Sequence, residues 1–578
     1  MALIGKWVFP PITVLLLILS FWEPARRRVL AGRGVQRLEK RLTLSNKGYW
    51  AAFGLILAAG AFVRCYRFLE LPLGQNQDGT MAAVEAFCLS SGGTDQFGTS
   101  WPTYFEAWGY SQMSTLYSYL LIPFIKVFGL SKFTLRLPML LMGLAALPLM
   151  WDAARRIGGK NFALLALFLL ALNPWHIVLS RWALEANMLP HVLLLAVELL
   201  LVGMRRRWAL YLSMVFFGLA PYAYGLAAVS VPCILLPAAV FLAARKKVKP
   251  LDLAVCVVIF AAVSGPYYMT MIINAFGLET MTLGKMTMPR FAQSKRSNDN
   301  SLGAENPYLS MAQKLRDFLP VATGLYPADG YSGIGWADTM YPFVIPAALY
   351  GWYRLCRDRR RLALAGREEL LRDGGMLILI WMFAAIVNTA MVGAVVNRNN
   401  ILYYPWILCA AYALWQMGKR LRTALAAMLA MIAVGFAGAC GVYFGDADYQ
   451  QDTANNFLYG VQDALIETWD WDCDRYYLTT MSRNDGEKTM ISQVMFAHQI
   501  DYAMRSEEEE LRGSDGQPNG WYYTERYIYQ DFADFTPDPT ECAVYIVLQR
   551  EKALFDEADY LITDFGNFAA VYPRYWAE

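Results

Sequence analysis

The sequence predicts an all-α polytopic membrane core of about twelve transmembrane helices, followed by a small extracytoplasmic α/β domain. Three observations carry this expectation. Of the 578 residues 56% are hydrophobic and 14% aromatic while only 17% are charged, and a water-facing surface of that size needs more charge. Apolar runs recur up to residue 444 at lengths close to those of a crossing helix. Beyond that point the chain turns acidic and its apolar segments shorten to strand and helix patterns.

The runs long enough to cross lie near 7–22, 49–66, 136–151, 161–179, 187–204, 208–223, 226–244, 251–273, 338–355, 375–394, 400–417 and 423–444. The first lacks a basic leading region and ends in Trp22-Glu23-Pro24 without a small-residue cleavage site, so it reads as a span and not a signal peptide. Basic clusters set the orientation. They stand at Arg26-Arg27-Arg28 through Lys47, Arg155-Arg156, Arg205-Arg206-Arg207, Arg245-Lys246-Lys247, Arg354 through Arg372, and Lys419-Arg420. With these spans every cluster falls on one side, which is then the cytoplasm.

A further run, Leu116–Leu130, could also be taken as a crossing. Counting it would place the clusters at Arg155, Arg205 and Arg245 opposite to that at Arg26. Charge parity therefore makes it an interfacial or re-entrant helix, a position that its Pro123 and Lys126 suit. The expected organisation is an extra N-terminal span with a basic cytoplasmic loop over 1–48, a membrane core over 49–445, and a cap over 446–578. Outer loops of the core are expected at 67–135 and 274–337, in a multi-pass protein of the inner membrane.

Within the cap, Arg475–Thr480 and Ala543–Leu548 read as strands, while 454–468 and 491–504 carry helical patterning. Glu507 to Glu510 form an acidic run. The alternation suggests an autonomously folded α/β unit. The nine cysteines include no CxxC pair, and those in apolar runs behave as small hydrophobes. Cys473 and Cys542 lie in the cap, and sequence alone leaves open whether they are bridged. The three histidines, His176, His191 and His498, are far apart. No metal-ligand set and no cofactor is assigned, and a divalent metal stays open. The absence of a basic stripe with interleaved aromatics argues against nucleic acid.

No GxxxxGK[ST] loop and no GxGxxG turn occurs in the chain, so a bound nucleotide donor is not indicated. An enzyme working on the outer face needs a group already activated, most simply on a lipid phosphate. Its site needs a carboxylate to take a proton, cations for the leaving phosphate, and a groove for the lipid. Asp78, in Gln75-Asn76-Gln77-Asp78-Gly79, supplies a carboxylate just beyond the second span; the alternative is that it only caps the helix that follows. Glu185 is the second acid, in the outer turn with Ser180-Arg181 and Asn187; the alternative is an Arg181–Glu185 boundary ion pair. Outward cations are few: Arg136, Arg181, Arg290 and Arg398. Each suits either a phosphate or snorkelling to lipid headgroups. Glu106, Tyr117, His176 and Asn187 complete the candidate donor or acceptor pocket.

In order along the chain, these residues resemble the GT-C superfamily of membrane glycosyltransferases, in the branch of protein O-mannosyltransferases and the lipid A aminoarabinose transferase. The resemblance rests on Asp78, Leu116-Tyr117-Ser118-Tyr119, Pro123-Phe124, Phe128-Gly129, Arg136-Leu137-Pro138, Asn173-Pro174-Trp175-His176, Ser180-Arg181, Glu185-Ala186-Asn187 and Asn397-Arg398. It implies inverting transfer of a sugar from a polyprenyl-phosphate donor to a hydroxyl on a protein, lipid or cell-wall glycan. Asp78 would be the base, Glu185 would shape the acceptor site, and Arg398, Arg181 and Arg136 would hold the phosphate. Three departures stand out. Gly79 replaces the second acid of an Asp-Glu pair, Gln112-Met113-Ser114 replaces a Lys-Pro-Pro segment, and the span at 7–22 is additional. A transporter, or an inactive relative serving as a binding module, are the other readings; long outer loops and boundary charges favour the enzyme over the transporter.

Overall fold

The computed structural model describes residues 1–108, 111–291, 301–322, 331–362, 369–471, 473–483, 486–504 and 526–577. Every predicted apolar run is helical. Among the described residues, eight helices are long and apolar enough to cross a membrane: Ile4–Phe21, Asn46–Cys65, Lys132–Gly158, Glu185–Gly203, Ala227–Ala244, Pro250–Phe276, Asp373–Val392 and Arg422–Gly445. The remaining runs form helices that are shorter or, in the last case, more highly charged: Lys160–Ala171 with Pro174–Leu179, Arg207–Ala223, Tyr403–Gly418 and Ile345–Leu362. The chain is a multi-pass membrane protein.

Local chemistry explains two departures from the predicted boundaries. The run near 161–179 breaks after Ala171, where Pro174 cannot donate to the ladder and Asn173 caps a fresh turn by accepting from the His176 amide. The run expected from 338 becomes helical only at Ile345, because Asp338 sits at φ 53° and Pro342 follows it. Helices at the centre, Glu185–Gly203 and Tyr403–Gly418, are buried on nearly all sides. Those at the periphery turn Leu55, Leu236, Val240 and Val257 outward, which is stable only against lipid tails.

The Leu116–Phe128 helix has 13 residues, or about 20 Å at 1.5 Å per residue, against a hydrocarbon core of about 30 Å. It buries Tyr117, Ser118, Leu121 and Ile125 and exposes Val127 and Phe128. A helix this short and one-sided fits the interfacial placement that charge parity requires.

The three segments assigned outward meet at one end of the bundle. The Gln75 amide donates to the Phe457 carbonyl at 2.6 Å and the Thr103 amide to that of Thr287 at 2.9 Å. The Tyr449 hydroxyl donates to the Gly333 carbonyl at 2.8 Å. Basic clusters gather elsewhere: Arg422 reaches the Glu39 carbonyl and Thr43, while Arg245 and Lys247 share Asp373.

Two short antiparallel hairpins, β1 (Phe105–Ala107) with β2 (Ser111–Met113) and β3 (Met281–Leu283) with β4 (Met286–Met288), stiffen the two outer loops. The C-terminal region carries β5 (Arg475–Thr479), β6 (Tyr527–Gln530), β7 (Ala543–Leu548), β8 (Tyr560–Phe565) and β9 (Phe568–Pro573). They form one sheet of order β6-β5-β7-β9-β8, parallel from β6 through β7 and antiparallel beyond. Cys473 and Cys542 are both thiols. The acidic run Glu507–Glu510 lies outside the described residues.

This domain is joined to the core through packing. Its helix Gly486–Ala497 lies on the Gln77–Gly92 helix, with Met490, Ile491 and Val494 sharing one buried cluster with Met81 and Val84. Thr489 donates to Gln77 and Gln493 to Thr80 across the contact. The segment that carries Asp78 is thus held between membrane core and cap.

Candidate active site

The approach to Asp78 is shaped by two buried guanidinium groups. Arg181 is 1% exposed, and its N–H groups donate to the carbonyls of Val63, Arg64, Tyr66, Arg67 and Leu71 and to the Tyr443 hydroxyl. Arg136 donates to the carbonyls of Phe68, Leu69, Pro72 and Gly74. A fork of fixed donors satisfies several carbonyls of one irregular loop at once, which a lysine cannot do. Buried backbone carbonyls need such partners, so these two arginines set the path of residues 66–74.

The loop ends in the Gln77–Gly92 helix. Its N-cap is Asn76, whose side-chain oxygen accepts from the Asp78 amide at 3.1 Å. The capping role weighed for Asp78 therefore falls to Asn76, and Asp78 stands half-buried in the first turn, where the helix dipole favours a carboxylate. Gly79 explains the missing second acid: a Cβ built there would lie 2.4 Å from the Ala183 carbonyl oxygen. The backbone of the Asp78 turn touches the turn that leads to Glu185, leaving no room for a side chain.

Glu185 opens the Glu185–Gly203 helix in its first turn and is 6% exposed. Two helix N-termini, each with one carboxylate, are thereby brought side by side. Asn187 braces the second: its amide donates to the Trp182 carbonyl, and its oxygen accepts from Asn400 at 2.9 Å. Asn400 also donates to the Ala186 carbonyl and accepts from the Trp175 indole at 2.7 Å. Through Asn400, the short 3₁₀ turn Asn397–Leu402 is clamped to the Glu185 turn, and this turn carries Arg398. Among the described residues no carboxylate pairs with the half-buried Arg398 side chain.

The other candidates are placed differently. Glu106 is paired opposite Gln112 on β1; burial raises its carboxyl above the usual range, opposed by Lys488 from the cap. Tyr117 is fully buried and its hydroxyl donates to the Leu135 carbonyl at 2.6 Å. His176 is also fully buried, and its Nδ1 receives N–H groups from Arg64 at 3.2 and 2.6 Å. Arginine can only donate, so Nδ1 carries no proton, and Nε2–H donates to the Tyr404 hydroxyl at 3.0 Å. That hydroxyl in turn donates to His191 Nδ1 at 2.9 Å. His176 thus belongs to a buried chain inside the bundle and is not gathered with Asp78.

Asn400, Gln75 and Lys488 matter to this arrangement and were not legible as site residues. Asn400 stood inside the Asn397-Arg398-Asn399-Asn400 string but carried no charge to single it out. Among the described residues, no group of three His, Cys, Asp or Glu side chains is gathered to hold a metal ion.

Residues 113–268 match the family model described as dolichyl-phosphate-mannose-protein mannosyltransferase. Among solved structures, ArnT from Cupriavidus metallidurans bound to undecaprenyl phosphate is similar at a TM-score of 0.53 and 15% identity, over 91% of this chain and 98% of that one. Its apo form is similar at a TM-score of 0.53 and 16% identity, over the same 91% and 98%. No curated protein sequence matches the chain. The helical core and the sheet-bearing C-terminal region thus share the fold of the ArnT structures, and the stretch 113–268 is similar to the mannosyltransferase family model.

Proposed function

We propose that this protein is a membrane glycosyltransferase that moves a sugar, with inversion, from a polyprenyl-phosphate donor to an acceptor hydroxyl at the outer face of the membrane. The observation that carries the reading is the juxtaposition of Asp78 and Glu185 at two touching helix N-termini. Asp78 takes the proton of the acceptor hydroxyl as the new bond forms. Glu185 orients the acceptor from the neighbouring turn. Arg398 meets the leaving phosphate, because its guanidinium lies in a turn clamped to the Glu185 helix and has no carboxylate partner among the described residues.

Arg181 and Arg136 take another role in this scheme. Their donors are engaged by loop carbonyls, so they position Asp78 instead of binding donor. ArnT, with which the fold is shared, was crystallised with a lipid phosphate, and that supports the donor class. The cap and the long loops face outward from the inner membrane in this reading. The acceptor is a hydroxyl of a protein, lipid or cell-wall glycan, and the transferred group is a hexose or a close derivative.

Asp78→Asn tests the assignment. It keeps the size of the side chain and leaves the Asn76 cap intact. General-base catalysis contributes about 10²–10⁴-fold, so kcat should fall by that factor in a protein with unchanged melting temperature and donor binding. Near-normal turnover in the folded variant would remove Asp78 as the base and pass the role to Glu185.

A further inference from the structure

The cap has an opening of its own, away from Asp78. Its sheet order β6-β5-β7 means that the chain leaves β5 toward one side and returns to β7 on the other. The carboxyl ends of β5 and β7 therefore flank a topological switch point, where open parallel sheets leave a crevice that the following loops line with ligand-binding groups. A cavity of about 580 Å³ lies there, bounded by Met481 and Arg483 beyond β5 and by Leu548, Gln549 and Arg550 at and beyond β7. Its size is within the range of small-molecule sites.

The walls are built, not merely left open. Glu551, 8% exposed, accepts from Thr479 with one carboxylate oxygen and from the Leu548 amide with the other, which laces the two strand ends together. Met481 and Ser482 both hold left-handed backbone, at φ 57° and 51°. Consecutive non-glycine residues in that region are costly and persist where the surroundings over-determine them, commonly at ligand sites. The opposite wall is amide: Gln451 donates to Asn567 at 2.7 Å and to Asn455 at 3.1 Å, and Asn567 donates to Asn455 at 3.0 Å. Arg550 is exposed and has no ion pair among the described residues.

We propose that this crevice binds an anionic saccharide, a sugar unit bearing a phosphate or a carboxylate. Guanidinium groups on one wall match the anion, while amides on the other offer both donors and acceptors to hydroxyls. Its position gives it a use in the proposed reaction. Leu458 lines the cavity, and the adjacent Phe457 carbonyl holds the Gln75 amide, three residues from Asp78, at 2.6 Å. The crevice holds part of an extended acceptor while another part reaches the base. Choice of a saccharide as ligand rests on the glycosyltransferase reading; the binding itself does not depend on turnover.

The test uses the full chain in phosphatidylcholine nanodiscs, without donor, titrated calorimetrically with glucose 6-phosphate, glucuronate, glucose and inorganic phosphate. We expect one or both sugar anions to bind at least tenfold more tightly than glucose or inorganic phosphate. Arg550→Gln should weaken that binding about tenfold or more at unchanged melting temperature, and Arg398→Gln should leave it intact. Equal binding of inorganic phosphate, no binding at all, or indifference to Arg550→Gln would overturn the proposal. Loss of binding in Arg398→Gln would overturn it too, by moving the ligand to the donor site. Asp78→Asn turnover tests the enzyme reading separately.

Discussion

A Cβ on Gly79 would lie 2.4 Å from the carbonyl oxygen of Ala183, so the Asp78 turn and the Glu185 turn meet backbone to backbone. No rotamer change relieves that contact. Gly79→Ala must push the two turns apart by several tenths of an ångström or more, at roughly 1–3 kcal/mol of overpacking. Kinetics should show kcat falling by at least tenfold with donor KM nearly unchanged, because Asp78 moves relative to Glu185 while the Arg398 turn stays clamped to the Glu185 turn. Normal kcat would mean that the spacing of the two turns is irrelevant to chemistry.

Arg181→Lys separates positioning from phosphate binding. The variant keeps the charge but loses the fork that serves five carbonyls and the Tyr443 hydroxyl. Leaving several buried carbonyls unpaired should cost roughly 2–4 kcal/mol. A lowered melting temperature and kcat, with donor KM unchanged, are expected. A raised donor KM at unchanged stability would return Arg181 to the phosphate.

Arg398→Gln should do the reverse. Removing one charge-assisted contact to a phosphate costs roughly 1.5–3 kcal/mol, seen as a tenfold or greater rise in donor KM. Stability should hold, since the turn is clamped by Asn400 and Asn399 and not by the Arg398 side chain. If neither KM nor kcat moves, Arg398 only reaches toward lipid headgroups.

His498 makes the cap sensitive to acid. Burial lowers its pKa to about 4, with a favourable Leu465 carbonyl contact opposing and Arg526 adding to the effect. In the unfolded chain it titrates near 6.5. The unfolded state therefore binds a proton first as pH falls, and stability present above about 6.5 is lost progressively down to about 4. A gap of about 2.5 pH units corresponds to at most roughly 3.5 kcal/mol. Differential scanning fluorimetry at pH 7 and pH 5 should show a smaller fall in melting temperature for His498→Gln than for the parent. Equal falls would mean that His498 takes up its proton alike in the folded and the unfolded chain.

The sequence by itself determined the number and place of the apolar helices, since burying backbone in lipid demands long unbroken apolar runs. The strands Arg475–Thr479 and Ala543–Leu548 were legible from β-branched and aromatic density. Asp78, Glu185 and Arg398 could be named because isolated charge at the end of an apolar run is conspicuous. What each charge touches was decided only in three dimensions. Arg181 and Arg398 read alike along the chain, yet Arg181 is enclosed by loop carbonyls and Arg398 is not. Partners 110 to 118 residues away in sequence satisfy Arg181, and no local pattern encodes contacts over such separations. The same holds for Asn400, Gly79 and the crevice between β5 and β7. Each depends on which backbone segments are brought within a few ångströms of one another, and packing of the whole core against the cap sets that.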